Sequence, residues 1–97
     1  MGIVTRSGDR SVVLHWERNT EANVTGYRIY RQTATNETFR LLNSTPTMLP
    51  SFADFDVTNG QRYLYAVRAV SGDWEESSDS AVVAVTPEVF VNDSEFL

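Results

Sequence analysis

The chain has 97 residues, 41% hydrophobic and 22% charged, with eight basic residues against thirteen acidic ones and a net charge of −5. That is one domain of ordinary globular composition, and its acidic balance disfavours nucleic acid, which is held through excess positive charge. The absence of cysteine removes disulfides, thiol catalysis and thiolate metal sites, and neither a membrane-length apolar run nor a basic-apolar leader is visible.

Apolar residues recur with a period of two, which marks half-buried strands and not amphipathic helices. A first strand is expected at 2–6, cut short because only Gly2, Ile3, Val4 and Thr5 precede the turn signal Ser7-Gly8-Asp9. In a second, at 10–18, Val12, Leu14 and Trp16 face one way and Val13, His15 and Glu17 the other. Trp16 therefore belongs to the core, where an aromatic ring contributes a large apolar area. His15 faces outward with no nucleophile in any recognisable context, so it reads as a solvated strand residue and not a catalyst. A third strand, at 25–32, alternates Tyr27 and Ile29 with Arg28 and Tyr30, and a fourth is expected at 38–42.

Beyond the proline-bounded stretch from Pro46 to Pro50, a fifth strand covers 51–56 and puts Asp54 and Asp56 on one face. Glycoside hydrolysis needs two carboxyls set across a substrate cleft, and a domain this small offers no such cleft, so Asp54 is expected to accept hydrogen bonds from loop backbone. The turn Thr58-Asn59-Gly60 leads into a sixth strand at 61–71, in which Tyr63, Tyr65, Val67 and Ala69 alternate with Leu64, Ala66, Arg68 and Val70. The seventh, at 79–86, ends at Pro87, which cannot donate to a ladder. Seven short strands with polar turns make an all-β antiparallel sandwich over residues 1–87. Residues 88–97 form an acidic tail that is either a linker or, through Val89-Phe90-Val91, a strand added to some edge.

Two surface groups stand out as candidate partner-binding residues. One is the acidic loop Asp73, Trp74, Glu75 and Glu76, a Trp flanked by charge, with Asp79 nearby. It carries no Asp-x-Asp-x-Asp-Gly calcium loop, so no metal or other cofactor is expected. The other is the outer face of the third and sixth strands, presenting Arg28, Tyr30, Leu64, Ala66 and Arg68, where Arg stems and Tyr rings pack across strands or meet an acidic or sugar partner. Four asparagines, Asn23, Asn36, Asn43 and Asn92, open Asn-x-Ser/Thr triplets, which fit either turn chemistry or glycosylation.

Three stretches taken in order resemble the fibronectin type III domain: Ser11-Val12-Val13-Leu14-His15-Trp16, Gly26-Tyr27-Arg28-Ile29-Tyr30-Arg31, and the run from Val57 to Val70 with turn glycine Gly60 and Tyr63 in the tyrosine-corner position. The wording of Ser51-Phe52-Ala53-Asp54 and Glu76-Ser77-Ser78-Asp79-Ser80 is closest to bacterial versions. The resemblance implies an immunoglobulin-like seven-stranded β-sandwich without catalytic residues. It also implies a spacer or protein-interaction unit of a larger secreted or cell-surface protein. A carbohydrate-contacting accessory domain of a polysaccharide-degrading enzyme, or a receptor ectodomain module, is the alternative. The implied partners are other domains of the parent chain or a separate protein, and carbohydrate on the alternative reading. Nucleic acid and membrane insertion are not expected, and a net charge of −5 favours a monomer. The family's proline-led first strand and its Arg-Gly-Asp tripeptide are both missing, and Ser71-Gly72-Asp73 fills the latter's loop.

Overall fold

A computed structural model describes residues 2–18, 23–33, 38–43, 45–73, 75–77, 80 and 82–89. Seven strands follow in order: β1 (Ile3–Gly8), β2 (Ser11–Trp16), β3 (Val24–Gln32), β4 (Arg40–Leu41), β5 (Ser51–Asp54), β6 (Tyr63–Ser71) and β7 (Val83–Val85). They form a three-stranded sheet in the order β1-β2-β5 and a four-stranded sheet in the order β4-β3-β6-β7, antiparallel throughout. The inward-facing residues of both sheets meet in one core of Val12, Leu14, Trp16, Tyr27, Ile29, Tyr63, Tyr65, Val67 and Ala69, with Val57 from the β5–β6 loop. Trp16 meets Tyr27 edge to face across the two sheets, ring centroids 5.4 Å apart. The alternation read from the sequence assigns each of these strand residues to the correct side; Val57, in a loop, lies outside it.

Three expectations change. The first strand is not cut short: β1 pairs residue for residue with β2, from Ile3 opposite Trp16 to Gly8 opposite Ser11. Arg6 is tolerated within it because it lies on the sheet's wet outer face, and Ser7 because it is exposed near the strand's end although it pairs with inward-facing Val12. The turn falls at Asp9-Arg10, with Arg10 at φ 53. The outer edge of β2 is therefore covered along its length, and residues 90–97 of the tail lie outside the described residues. Second, β5 stops at Asp54, so Asp54 is buried while the Asp56 side chain is almost fully exposed, and the two carboxylates do not share a face.

Third, β7 is shorter than 79–86. Ahead of β7 the chain meets β6 at the bridge of Glu76 with Val70, and regular pairing with β6 covers only Val83–Val85. Two hydroxyls fill gaps in its ladder: Ser77 Oγ accepts from Ala69 N at 3.0 Å and Ser80 Oγ from Val67 N at 2.9 Å.

Two local features fix the poles of the sandwich. At one, Gly26 lies under the 45–50 loop, where a Cβ would come within 2.8 Å of Pro46 Cβ. At the other, Asn59 ties the β1–β2 turn to the β5–β6 loop, accepting from Arg10 N and donating to Asp9, both at 2.8 Å. Gly60, at φ 85, donates its N–H to the carbonyl of buried Pro87 at 2.9 Å.

Candidate functional site

The two surface groups singled out in the sequence meet at one point. β3 and β6 set Arg28 opposite Arg68, and the bridge between Val70 and Glu76 brings Glu76 beside them. Glu76 Oε2 accepts from Arg28 Nη1 at 3.1 Å and from the Tyr30 hydroxyl at 2.6 Å, while Oε1 accepts from Arg68 Nη1 at 2.9 Å. The Arg68 guanidinium also stacks over the Tyr30 ring, 4.8 Å from its centroid. Burial alone would raise the Glu76 pKa, but the bonds from Tyr30, Arg68 and Arg28 outweigh it and hold the carboxyl below its usual range. Burial, then the bond to Glu76, pushes the Tyr30 hydroxyl upward.

Backbone bonds from Ser71 N to Glu75 O and from Ser77 N to Ala69 O, both 2.9 Å, hold the Glu76 segment along β6. The outer face is thus closed over itself: Ala66, opposite Tyr30, is buried, and Arg28, Tyr30, Leu64 and Arg68 are only partly exposed. Asp73 and Glu75 stay exposed on the loop, whereas Trp74 and Asp79 lie outside the described residues. His15 is exposed on the other sheet, between Val4 and Ser51. No three His, Asp or Glu side chains among the described residues converge as a metal site would require.

A second polar cluster went unread in the sequence. Arg31 is buried between the sheets and donates from Nη1 to Asp54 Oδ2 at 2.8 Å and to the Asp56 carbonyl at 3.1 Å. Asp54 also accepts from the Tyr65 hydroxyl at 2.7 Å and from Asp56 N at 3.0 Å; the last is the loop-backbone bond expected of it. The Tyr63 ring lies 5.5 Å from the guanidinium carbon. Burial, with the bond to Asp54, drives the Tyr65 hydroxyl far above the ordinary phenol range, so it stays a donor. The signal for this cluster was the alternation itself, since Arg31 follows Tyr27 and Ile29 on the inward parity of β3 and Asp54 follows Phe52 on β5.

Tyr63 occupies the corner as expected, its hydroxyl accepting from Thr58 N at 2.8 Å. Asn43 is also built in: Oδ1 accepts from Ile29 N at 2.7 Å and Nδ2 donates to Tyr27 O at 2.9 Å. Its amide thus continues the edge of β3 between β4 and the Tyr27–Thr47 bridge. The nitrogen that a glycan would use is occupied. Asn23 is exposed, and Asn36 and Asn92 lie outside the described residues.

Compared with known proteins, the sequence profile of the family described as "Fibronectin type III domain" matches residues 2–85. A relative, an amylopullulanase of Thermoanaerobacter thermohydrosulfuricus, is 37% identical over 81 residues, which are 84% of this chain and 5% of that enzyme. Among solved structures, a Fn3-like protein from Clostridium thermocellum superposes with a TM-score of 0.72 at 22% identity, covering 94% of this chain and 93% of that one. A β-1,2-glucanase from Parabacteroides distasonis gives 0.76 at 23% identity, over 92% of this chain and 12% of that one. At these identities the structural likeness speaks for the fold.

Proposed function

Since the chain belongs to the fibronectin type III domain family, we propose that it serves as a non-catalytic module, a spacer and interaction unit, within a larger secreted or surface-attached protein that processes polysaccharides. The observation that carries the reading is that the first strand begins and the last strand ends at opposite poles of the sandwich. Gly2 enters beside Trp16, and β1 runs the length of the sandwich to the turn that Asn59 holds. Pro87 leaves from that same far pole through its bond to Gly60. Entry and exit are therefore separated by roughly 20 Å, the length of a six-residue strand. A module with ends at opposite poles holds its neighbours apart, whereas one with adjacent ends is an insertion in a host domain. The amylopullulanase relative, of which the matched segment is 5%, supports the polysaccharide context.

The interaction role falls to the loop rim of Asp73 and Glu75, both exposed. Arg28, Tyr30 and Arg68 make the base that holds the rim in place, because their polar groups are engaged by Glu76.

The chain contains no cysteine, so Gly2→Cys with Glu88→Cys gives a clean spin-label pair. Pulsed electron spin resonance should return one narrow distance distribution that persists until the domain melts. A broad distribution, or one centred well below the strand length, would refute the spacer role. Detectable hydrolysis of starch, pullulan or an ester substrate by the purified domain would refute the non-catalytic one.

A further inference from the structure

Beside edge strand β4, Arg31, Thr33, Thr38, Phe39 and Arg40 line an open depression of about 500 Å³, within the roughly 300–1,000 Å³ of small-ligand sites. One wall is the buried Arg31. Asp54 and the Asp56 carbonyl hold its guanidinium, and the Tyr63 ring lies against it. An arginine fixed in this way is a preorganised surface and not a mobile arm, so a ligand meeting it loses little side-chain freedom. Gln61 braces the neighbouring wall by donating from Nε2 to Thr33 O at 3.1 Å. The remaining walls are the half-buried Phe39, exposed Arg40 and the hydroxyl of Thr38.

The mixture of groups narrows the ligand class. Asp54 neutralises Arg31, so among the described residues Arg40 is the only uncompensated cation on the walls. A phosphate or a polyacid would need more positive charge than that. A wholly apolar ligand would strip water from guanidinium and hydroxyl groups and give no hydrogen bonds back. A sugar ring satisfies both demands: its C–H face packs on an aromatic ring, and its hydroxyls donate to and accept from threonine and arginine groups.

We propose that this depression is a binding site for a neutral oligosaccharide, with Phe39 as the packing face and Arg40, Thr33 and Thr38 as the hydrogen-bonding rim. The site adds to the spacer role, which stands whether or not a sugar binds.

The test titrates the ¹⁵N-labelled domain with maltoheptaose and, separately, with cellohexaose, tri-galacturonate and inorganic phosphate. At least one neutral oligosaccharide should move the amides of Thr33 and residues 38–40 and the Arg31 Nε–H, saturating in the millimolar range. Phe39→Ala should abolish the response and Arg40→Gln should weaken it about fivefold, with the remaining spectrum and the melting temperature unchanged. If Phe39→Ala fails to fold, Arg40→Gln alone decides. No movement with either neutral sugar, movement mapping elsewhere, or movement untouched by the folded variants would overturn the proposal. So would a response to phosphate or tri-galacturonate alone, which would make this an anion site.

Discussion

Replacing Asp54 by Asn tests the buried cluster between the sheets. The substitution keeps shape and one carbonyl acceptor but deletes the charge facing Arg31. The wild-type carboxylate accepts three bonds, from Arg31, Tyr65 and Asp56 N, all at 3.0 Å or less. Breaking a buried pair from one side costs about 3–5 kcal/mol, because the remaining charge stays buried without compensation. The low end of that range is expected, since the Asp56 carbonyl still accepts from Arg31 at 3.1 Å and the exposed Asp56 carboxylate lies 3.9 Å away. Even so, about 3 kcal/mol is a large part of the 5–15 kcal/mol typical of a domain. Tyr65→Phe removes one donor and leaves the ion pair, so it should cost only about 1–2 kcal/mol. Arg31→Met with Asp54→Leu removes both charges but leaves the buried Tyr65 hydroxyl without its acceptor, so it should cost about 1–2 kcal/mol, less than Asp54→Asn. Urea melts followed by tryptophan fluorescence measure all three. If the double variant is as unstable as Asp54→Asn, the loss comes from packing and not from a stranded charge, and the reasoning fails.

Three further outcomes follow from the geometry. Trp16→Ala should cost about 3–5 kcal/mol in the same melts, and a loss under about 1 kcal/mol would mean the ring is not core. Tyr63→Phe leaves the Thr58 N–H without its acceptor and should cost on the order of 1–3 kcal/mol; a neutral change would remove the corner bond from the account of stability. Glu76 has a folded pKa below its ordinary value, so its contribution is complete above that value and is lost as pH falls through the lowered one. The melting temperature should therefore drop on acidification below the ordinary glutamate range, and Glu76→Gln should flatten that part of the profile. An unchanged slope would show that the three donors to Glu76 contribute nothing to stability.

The alternation of β2, β3 and β6 made the sandwich legible because a pleated strand sends successive side chains to opposite faces, so parity alone sorts Val12, Leu14 and Trp16 from Val13 and His15. The same rule applied without exception would have found Arg31 and Asp54, both on inward parity. The sequence shows Asp54 only as an acceptor for loop backbone and does not show Arg31, because a charge at an inward position reads as the end of a buried run until its opposite charge is known to face it, and that pairing joins residues 23 apart across two sheets. Asn43 was opaque for a different reason. Its role depends on a gap in the edge of β3 that exists only once β4 has stopped at Leu41, and a side-chain amide standing in for a strand leaves no periodic trace. Where polar residues complete a ladder or a core, their meaning lies in the partner they face and not in their own position. The outer face shows the consequence. In the sequence Arg28, Tyr30 and Arg68 read as cross-strand packing or as a face for an acidic or sugar partner, and the bridge at Val70–Glu76 brings them a carboxylate from their own chain and turns the face into a clasp for the loop. A surface that is engaged in this way positions a loop; the groups left to meet a ligand are those, such as Arg40 and Phe39, that line an open depression beside an edge strand.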